Sequence, residues 1–111
     1  MSSKKVRKAE ILMGIRAERS GIPTPCPQNV YALYVDEEMI YSRAYLTPSD
    51  HMATCIENAR EFAKEMKARD VNKYEISNGH VANGEERLPC NPIPEDGVEI
   101  FRRTLDAELK K

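Results

Sequence analysis

TPSDHMATCIENAREFAKEMKARD, residues 47–70, is the stretch whose reading decides the fold. Its apolar residues fall at Met52, Cys55, Ile56, Ala59, Phe62, Ala63 and Met66. Steps of three and one draw a single stripe along a helix of 3.6 residues per turn. His51, Thr54, Glu57, Asn58, Arg60, Glu61, Lys64, Glu65 and Lys67 fill the opposite arc and are expected to face water. Thr47 is the expected N-cap, Pro48 suits the first helical position, and Asp50 sits where a capping box places its acid. Lys67 and Arg69 complement the negative end of the helix dipole, and Asp70-Val71-Asn72 breaks the pattern.

Upstream, VYALYV (30–35) is a β-branched and aromatic run that fits a strand buried in a sheet. Asp36-Glu37-Glu38 is a polar turn, and MIYSRAYL (39–46) is the returning strand. Alternation puts Met39, Tyr41, Arg43 and Tyr45 on one face and Ile40, Ser42, Ala44 and Leu46 on the other. The second set is the expected core face, and the tyrosine face is expected to be partly wet. Further upstream, Val6–Arg19 reads as a helix, with Val6, Ala9, Leu12, Met13 and the Arg16 stem on one stripe and Ile11 and Ile15 beside it. Gly14 weakens that helix, while Ser20-Gly21 and Pro23 end it. GIPTPCPQN (21–29) is a stiff connector, because its three prolines cannot donate to a ladder.

Downstream, VNKYEIS (71–77) alternates as a half-exposed strand, with Tyr74 and Ile76 inward. Asn78-Gly79 and Asn83-Gly84 are turn signals that bracket a short strand, His80–Ala82. Residues 78–97 are otherwise expected to be an irregular loop, with Pro89, Pro92 and Pro94. Residues 98–109 fit helix or strand, and the Ala-Glu-Leu-Lys-Lys ending favours a helix capped by Asp96. The expected architecture is α+β in the order α-β-β-α-β-α. A small antiparallel sheet of three or four strands has the central helix laid across one face.

The bulk properties set bounds. At 111 residues the chain is expected to be one domain, with residues 1–5 disordered. Its size allows a core without disulfide or metal. Hydrophobic content of 41% and charged content of 32% fit a globular protein. No apolar run approaches a membrane span, and the charged start is unlike a secretory signal, so the expected compartment is cytoplasmic. Cys26, Cys55 and Cys90 are an odd number without CxxC spacing, which points to reduced thiols. Whether Cys26 and Cys90, both in Pro-Cys contexts, meet in space is left open by the sequence.

Motifs for chemistry are sparse. No two of Cys26, Cys55, Cys90, His51 and His80 have the close pairing of a structural zinc site. Cys90 with His80 is the best nucleophile–base pair, but it lacks an orienting third group. Gly79, Gly84 and Gly97 do not make a phosphate loop, and Glu37-Glu38 and Glu85-Glu86 read as solvated turns. No cofactor, metal or catalytic residue is expected. The favoured reading is a non-enzymatic protein-binding module, a small regulator or inhibitor such as a phage or mobile-element accessory protein. It would bind through Tyr31, Tyr34, Tyr41, Tyr45 and Tyr74, with a homodimer as the simplest version. The alternative is a nucleic-acid binder. The formal charge is −1, yet residues 1–20 carry +4 and the remainder −5. Lys4, Lys5, Arg7, Lys8, Arg16 and Arg19 would then touch phosphates, with Arg43 from the sheet.

Overall fold

The computed structural model describes residues 7–16, 27–46, 50–83 and 86–111. Eight elements follow in the order β1 (Lys8–Arg16), β2 (Gln28–Val35), β3 (Glu38–Leu46), α1 (His51–Ala68), β4 (Lys73–Asn78), β5 (His80–Asn83), β6 (Glu86–Pro89) and α2 (Glu95–Leu109). The chain is a small α+β domain, but strands come first and the main sheet is mixed. Its order is β3-β2-β1-β4, with β1 antiparallel to β2 and parallel to β4, and β5–β6 form a separate two-stranded hairpin.

The expected helix over Val6–Arg19 is corrected: its described part is the strand β1. Ala9, Ile11 and Met13 lie in the main core, while Leu12 lies in a second buried cluster on the opposite face. A strand buried on both faces reads as a continuous apolar run, and here that run imitated a helical stripe. Gly14 fits this placement, because a Cβ there would collide with the Cys90 thiol. The Lys4, Lys5 and Arg19 positions, residues 1–5 and the proline connector up to Cys26 lie outside the described residues.

The two-residue turn between β2 and β3 holds Asp36 at φ 53° and Glu37 at φ 65°. Positive φ at both central positions matches the twist of the flanking strands, although neither residue is glycine. The assignment of faces on β3 is also corrected. A bulge opposite Leu33/Tyr34 shifts the register, so that Leu33 pairs with Tyr41 and Tyr34 with Met39. The extra residue sends both Ile40 and Tyr41 inward, and Tyr45 follows them into contact with the core. Ser42, Ala44 and Leu46 are exposed instead, Leu46 at 57%.

Helix α1 forms where expected, but Asp50 is its cap: the carboxylate accepts from the Met52 and Ala53 N–H groups at 3.0 and 3.3 Å. Thr47-Pro48-Ser49 lies outside the described residues. The buried face is rotated relative to the apolar stripe, taking in Thr54 and Asn58 and leaving Met52 and Ile56 half-buried. At the far end Asp70 adopts φ 59°, and the Val71 and Asp70 N–H groups donate to the Met66 and Lys67 carbonyls. Helix α2 occupies 95–109. Pro94 is its cap position, and Asp96 sits in the first turn instead of capping it. The helices run side by side in the same direction: His51 meets Asp96 at one end, and Lys67 donates to the Glu108 carbonyl at the other.

Both helices cover one face of the main sheet. Their core is aromatic: Phe62 meets Phe101 edge-on with ring centroids 5.6 Å apart, Tyr41 meets Phe62 at 5.4 Å, and Tyr31 stacks on Phe101 at 6.4 Å. Such pairs add about 0.5–1.5 kcal/mol beyond the area they bury. The stretch 78–97, expected to be irregular, carries the β5–β6 hairpin and the start of α2.

The left-handed Glu37 gives the first expected outcome. Glu37→Gly relieves about 1–2 kcal/mol of backbone strain against about 0.5–1 kcal/mol of added chain entropy. Denaturant unfolding of the variant should show a net gain below about 1 kcal/mol, and a loss would contradict the turn geometry.

Candidate functional site

Two layers flank the main sheet unequally. The helical layer covers the front face; on the rear face only the β5–β6 hairpin is found among the described residues. The hairpin sits over β1 and β2, where Ala82 packs on Leu12, Ala32 and Tyr34. An arginine holds it down. Arg87 donates to both carboxylate oxygens of Glu10 at 2.6 and 3.0 Å, and its guanidinium lies 5.1 Å from the centre of the Tyr34 ring. A two-toothed pair of this kind is stronger and more directional than a single lysine contact. Arg87 holds the Glu10 carboxyl below its ordinary range, against a smaller opposing effect of burial.

Beside the hairpin, the rear of β3 is bare, while its neighbour β2 is buried from Asn29 to Val35. Val30, Ala32, Ser42 and Ala44 make a floor of small side chains, bounded by Ala82 on one side and Met39 on another. Met39 is 43% exposed, and Leu46 continues the same face. Arg16 lines this trough, as does the backbone at Arg43, whose side chain turns to the helical face; no carboxylate lines it. The Arg16 guanidinium donates to the neutral Gln28 amide oxygen at 2.6 Å. Arg43 donates to the Tyr41 hydroxyl at 3.1 Å and lies 3.8 Å from Glu57. Strand β3 is also an edge of the sheet. This edge carries no Pro or Lys, and the bulge at Ile40 interrupts its pairing edge.

The five expected interface tyrosines do not share a surface. Tyr31 is fully buried, its hydroxyl 2.9 Å from Thr54 Oγ1 and 3.4 Å from Cys55 Sγ. Burial raises its phenol far above the ordinary value. Tyr41 and Tyr45 face the helices. Tyr45 donates to Glu57 at 2.7 Å and accepts from Asn58 at 3.0 Å, and burial and then Glu57 push it up to about 12. Tyr74 donates to Asp106 on α2 at 2.6 Å and is also pushed up to about 12, first by burial. Tyr34 lies on the rear face under Arg87. The trough was missed because its floor is alanine, serine and valine, which carry no sequence signal. The bulge on β3 is the feature that turns those residues outward.

The basic residues of the alternative reading are partly engaged within the fold. Arg7 pairs with Asp36 at 3.1 Å and donates to the Arg69 carbonyl at 2.5 Å, and Lys8 lies 3.6 Å from Glu75.

The sites weighed for chemistry separate. His80 is exposed and Cys90 half-buried, and no hydrogen bond joins their side chains. Burial pushes the Cys90 thiol up, the wrong direction for a nucleophile. Cys55 is buried against Tyr31 and is likewise pushed up, mainly by burial. The carboxyl ends of the parallel pair β1 and β4, where open α/β sheets commonly bind ligands, are occupied by the segment 90–94. Asn78 exchanges hydrogen bonds with the Ile93 backbone at 2.8 and 2.9 Å, and Ile15 bridges to Asn91. His51 Nε2 meets Asp96 at 3.0 Å beside this plug, lowering the Asp96 carboxyl. Among the described residues no group of three His, Cys, Asp or Glu is arranged to hold a metal, and no helix is long and apolar enough to cross a membrane. Comparison of the chain with protein-family models, curated proteins and solved structures finds no match.

The Arg87–Glu10 clamp is expected to be pH-sensitive. A carboxylate whose folded pKa is depressed stabilises the fold above its unfolded pKa, and that contribution is lost as pH falls through the folded value. The Val81 and Leu88 amide resonances should therefore shift as Glu10 protonates on the acid side of the ordinary glutamate range. Glu10→Gln should remove that transition, whereas its persistence would show that another group drives it.

Proposed function

We propose that this chain is a non-enzymatic protein-binding module, a small regulator or inhibitor whose docking surface is the bare rear of β3 with its adjoining edge. The supporting observation is the uneven covering of the main sheet. Ser42 and Ala44 of β3 are exposed, with the hairpin and buried β2 on one side and the open β3 edge on the other. A sheet containing parallel strands is ordinarily covered on both faces. Here the second cover stops halfway, and Met39 and Leu46 stand exposed beside the gap. Exposed apolar side chains grouped with arginine are the composition of protein interfaces, from which lysine and carboxylates are depleted.

This reading differs from the tyrosine surface expected from sequence: the contact residues are Met39, Ser42, Ala44 and Leu46, with Arg16 at the margin. Small side chains on the floor let a partner approach the backbone closely. The affinity would then come from a few anchors of the partner seated in the trough.

The test is substitution on the floor. Ala44 is exposed, so Ala44→Arg should change stability by no more than about 0.5 kcal/mol. It should nonetheless weaken capture of partners by tagged protein at least tenfold. Lys67→Glu on the helical layer should leave capture intact. Equal capture by wild type and Ala44→Arg would move the docking surface elsewhere.

A further inference from the structure

We infer that the β5–β6 hairpin is a latched cover: it opens as a unit from the rear of the main sheet while the two-helix core stays folded, and Arg87 is its latch. The hairpin's construction carries this. Its two strands have four residues each and form a sheet separate from the main one. Among the described residues no backbone hydrogen bond joins residues 80–89 to β1, β2, β3 or β4. All four residues of β6 are exposed. A segment with few buried apolar contacts and no ladder to its neighbours opens at a lower free energy than the core it covers.

Few side chains hold it down. Val81 is buried, and Ala82 packs on Leu12, Ala32 and Tyr34. The two bonds from Arg87 to Glu10 are, among the described residues, the hairpin's only side-chain hydrogen bonds to the main sheet. The side chains of this pair are 39% and 32% exposed, so water solvates each group as the latch lets go. The base is built differently. The Gly79 N–H donates to the Met13 carbonyl at 2.7 Å, and the Cys90 N–H to the Gly79 carbonyl at 2.8 Å. Just beyond, Asn78 is tied to the Ile93 backbone and Ile15 to Asn91. Gly79 itself has φ 101°, a conformation open to glycine and closed to most side chains. Both ends of the hairpin are therefore pinned, and the rotation is confined to the line through Gly79 and Cys90. Opening uncovers Leu12, Ala32 and Tyr34, each at most 8% exposed beneath the hairpin. Ala32 pairs with Ser42, so the uncovered surface continues from the exposed rear of β3 across β2 to β1. A role in widening the docking surface rests on the reading given above; the motion itself needs no occupant on β3.

Native-state hydrogen exchange of the full chain, followed amide by amide in denaturant below the unfolding transition, tests this. Amides paired within β5–β6 are expected to be about a hundredfold less protected than those of the β1–β2 ladder, and to depend less steeply on denaturant, as a partial opening does. Arg87→Ala should lower hairpin protection by about a further tenfold, the loss of hydrogen bonds to a charged group, and leave β2 amides unchanged. Equal protection and equal denaturant slope for hairpin and β2 in the wild type would show that the cover leaves only when the whole chain unfolds, and would overturn the inference without any variant. Arg87→Ala lowering hairpin and β2 protection together would overturn it as well. A hairpin that opens as a unit but is unmoved by Arg87→Ala would remove the latch. Partial opening in a chain whose Ala44→Arg variant captures partners as the wild type does would establish the cover and overturn the docking reading alone.

Discussion

The structure depends on β1 being covered on both faces. It is flanked by β2 and β4, and its consecutive apolar residues Ile11, Leu12 and Met13 point alternately to the two sides. Fully burying a side chain of this kind contributes about 1.5–3 kcal/mol, so leaving either face of β1 wet would cost a large share of a small domain's stability. The front requirement is met by α1 and α2, whose Phe62 and Phe101 close over Tyr31 and Met13 in one core. The rear requirement is met by a hairpin only four residues deep on each arm. So short a hairpin is marginal alone, and the Arg87–Glu10 pair and the Tyr34 ring fasten it.

That solution determines what is left bare. The hairpin is too narrow to reach β3, and the bulge beside Tyr34 has already turned Ile40 and Tyr41 inward. Met39, Ser42, Ala44 and Leu46 therefore remain at the rear surface of β3, near Arg16. The trough is a by-product of how the central strand is buried. Its position is fixed by the least adjustable part of the fold. The proposed function rests on this incomplete layer.

The legible parts of the fold were those with one-sided burial. Residues 51–68 gave a clear helical stripe, 73–78 a clear alternation, and 98–109 enough pattern to favour a helix. Misreadings came where burial is two-sided or where a backbone irregularity intervenes. In β1, apolar residues on both faces erased the period of two, and spacing of three and four was then found by chance. On β3 a single extra residue exchanged the two faces, which no composition signals. Thr54 and Asn58 were read as wet because they are polar, yet they are buried by hydrogen bonding to Tyr31, Tyr45 and the α1 backbone. The site was less legible than the fold. Tyrosines drew attention as interface formers, but four of the five are used in packing against helices and the fifth lies under Arg87. The trough residues, being small, attracted none.

The central claim is that the rear of β1 is sealed while the rear of β3 is open. Solvent paramagnetic broadening of alanine methyl resonances in the free chain measures this directly. The account predicts strong broadening for Ala44 and little for Ala9, Ala32 and Ala59, which are at most 1% exposed. An Ala44 methyl as protected as that of Ala59 would mean that another part of the chain already covers the strip, and would contradict it.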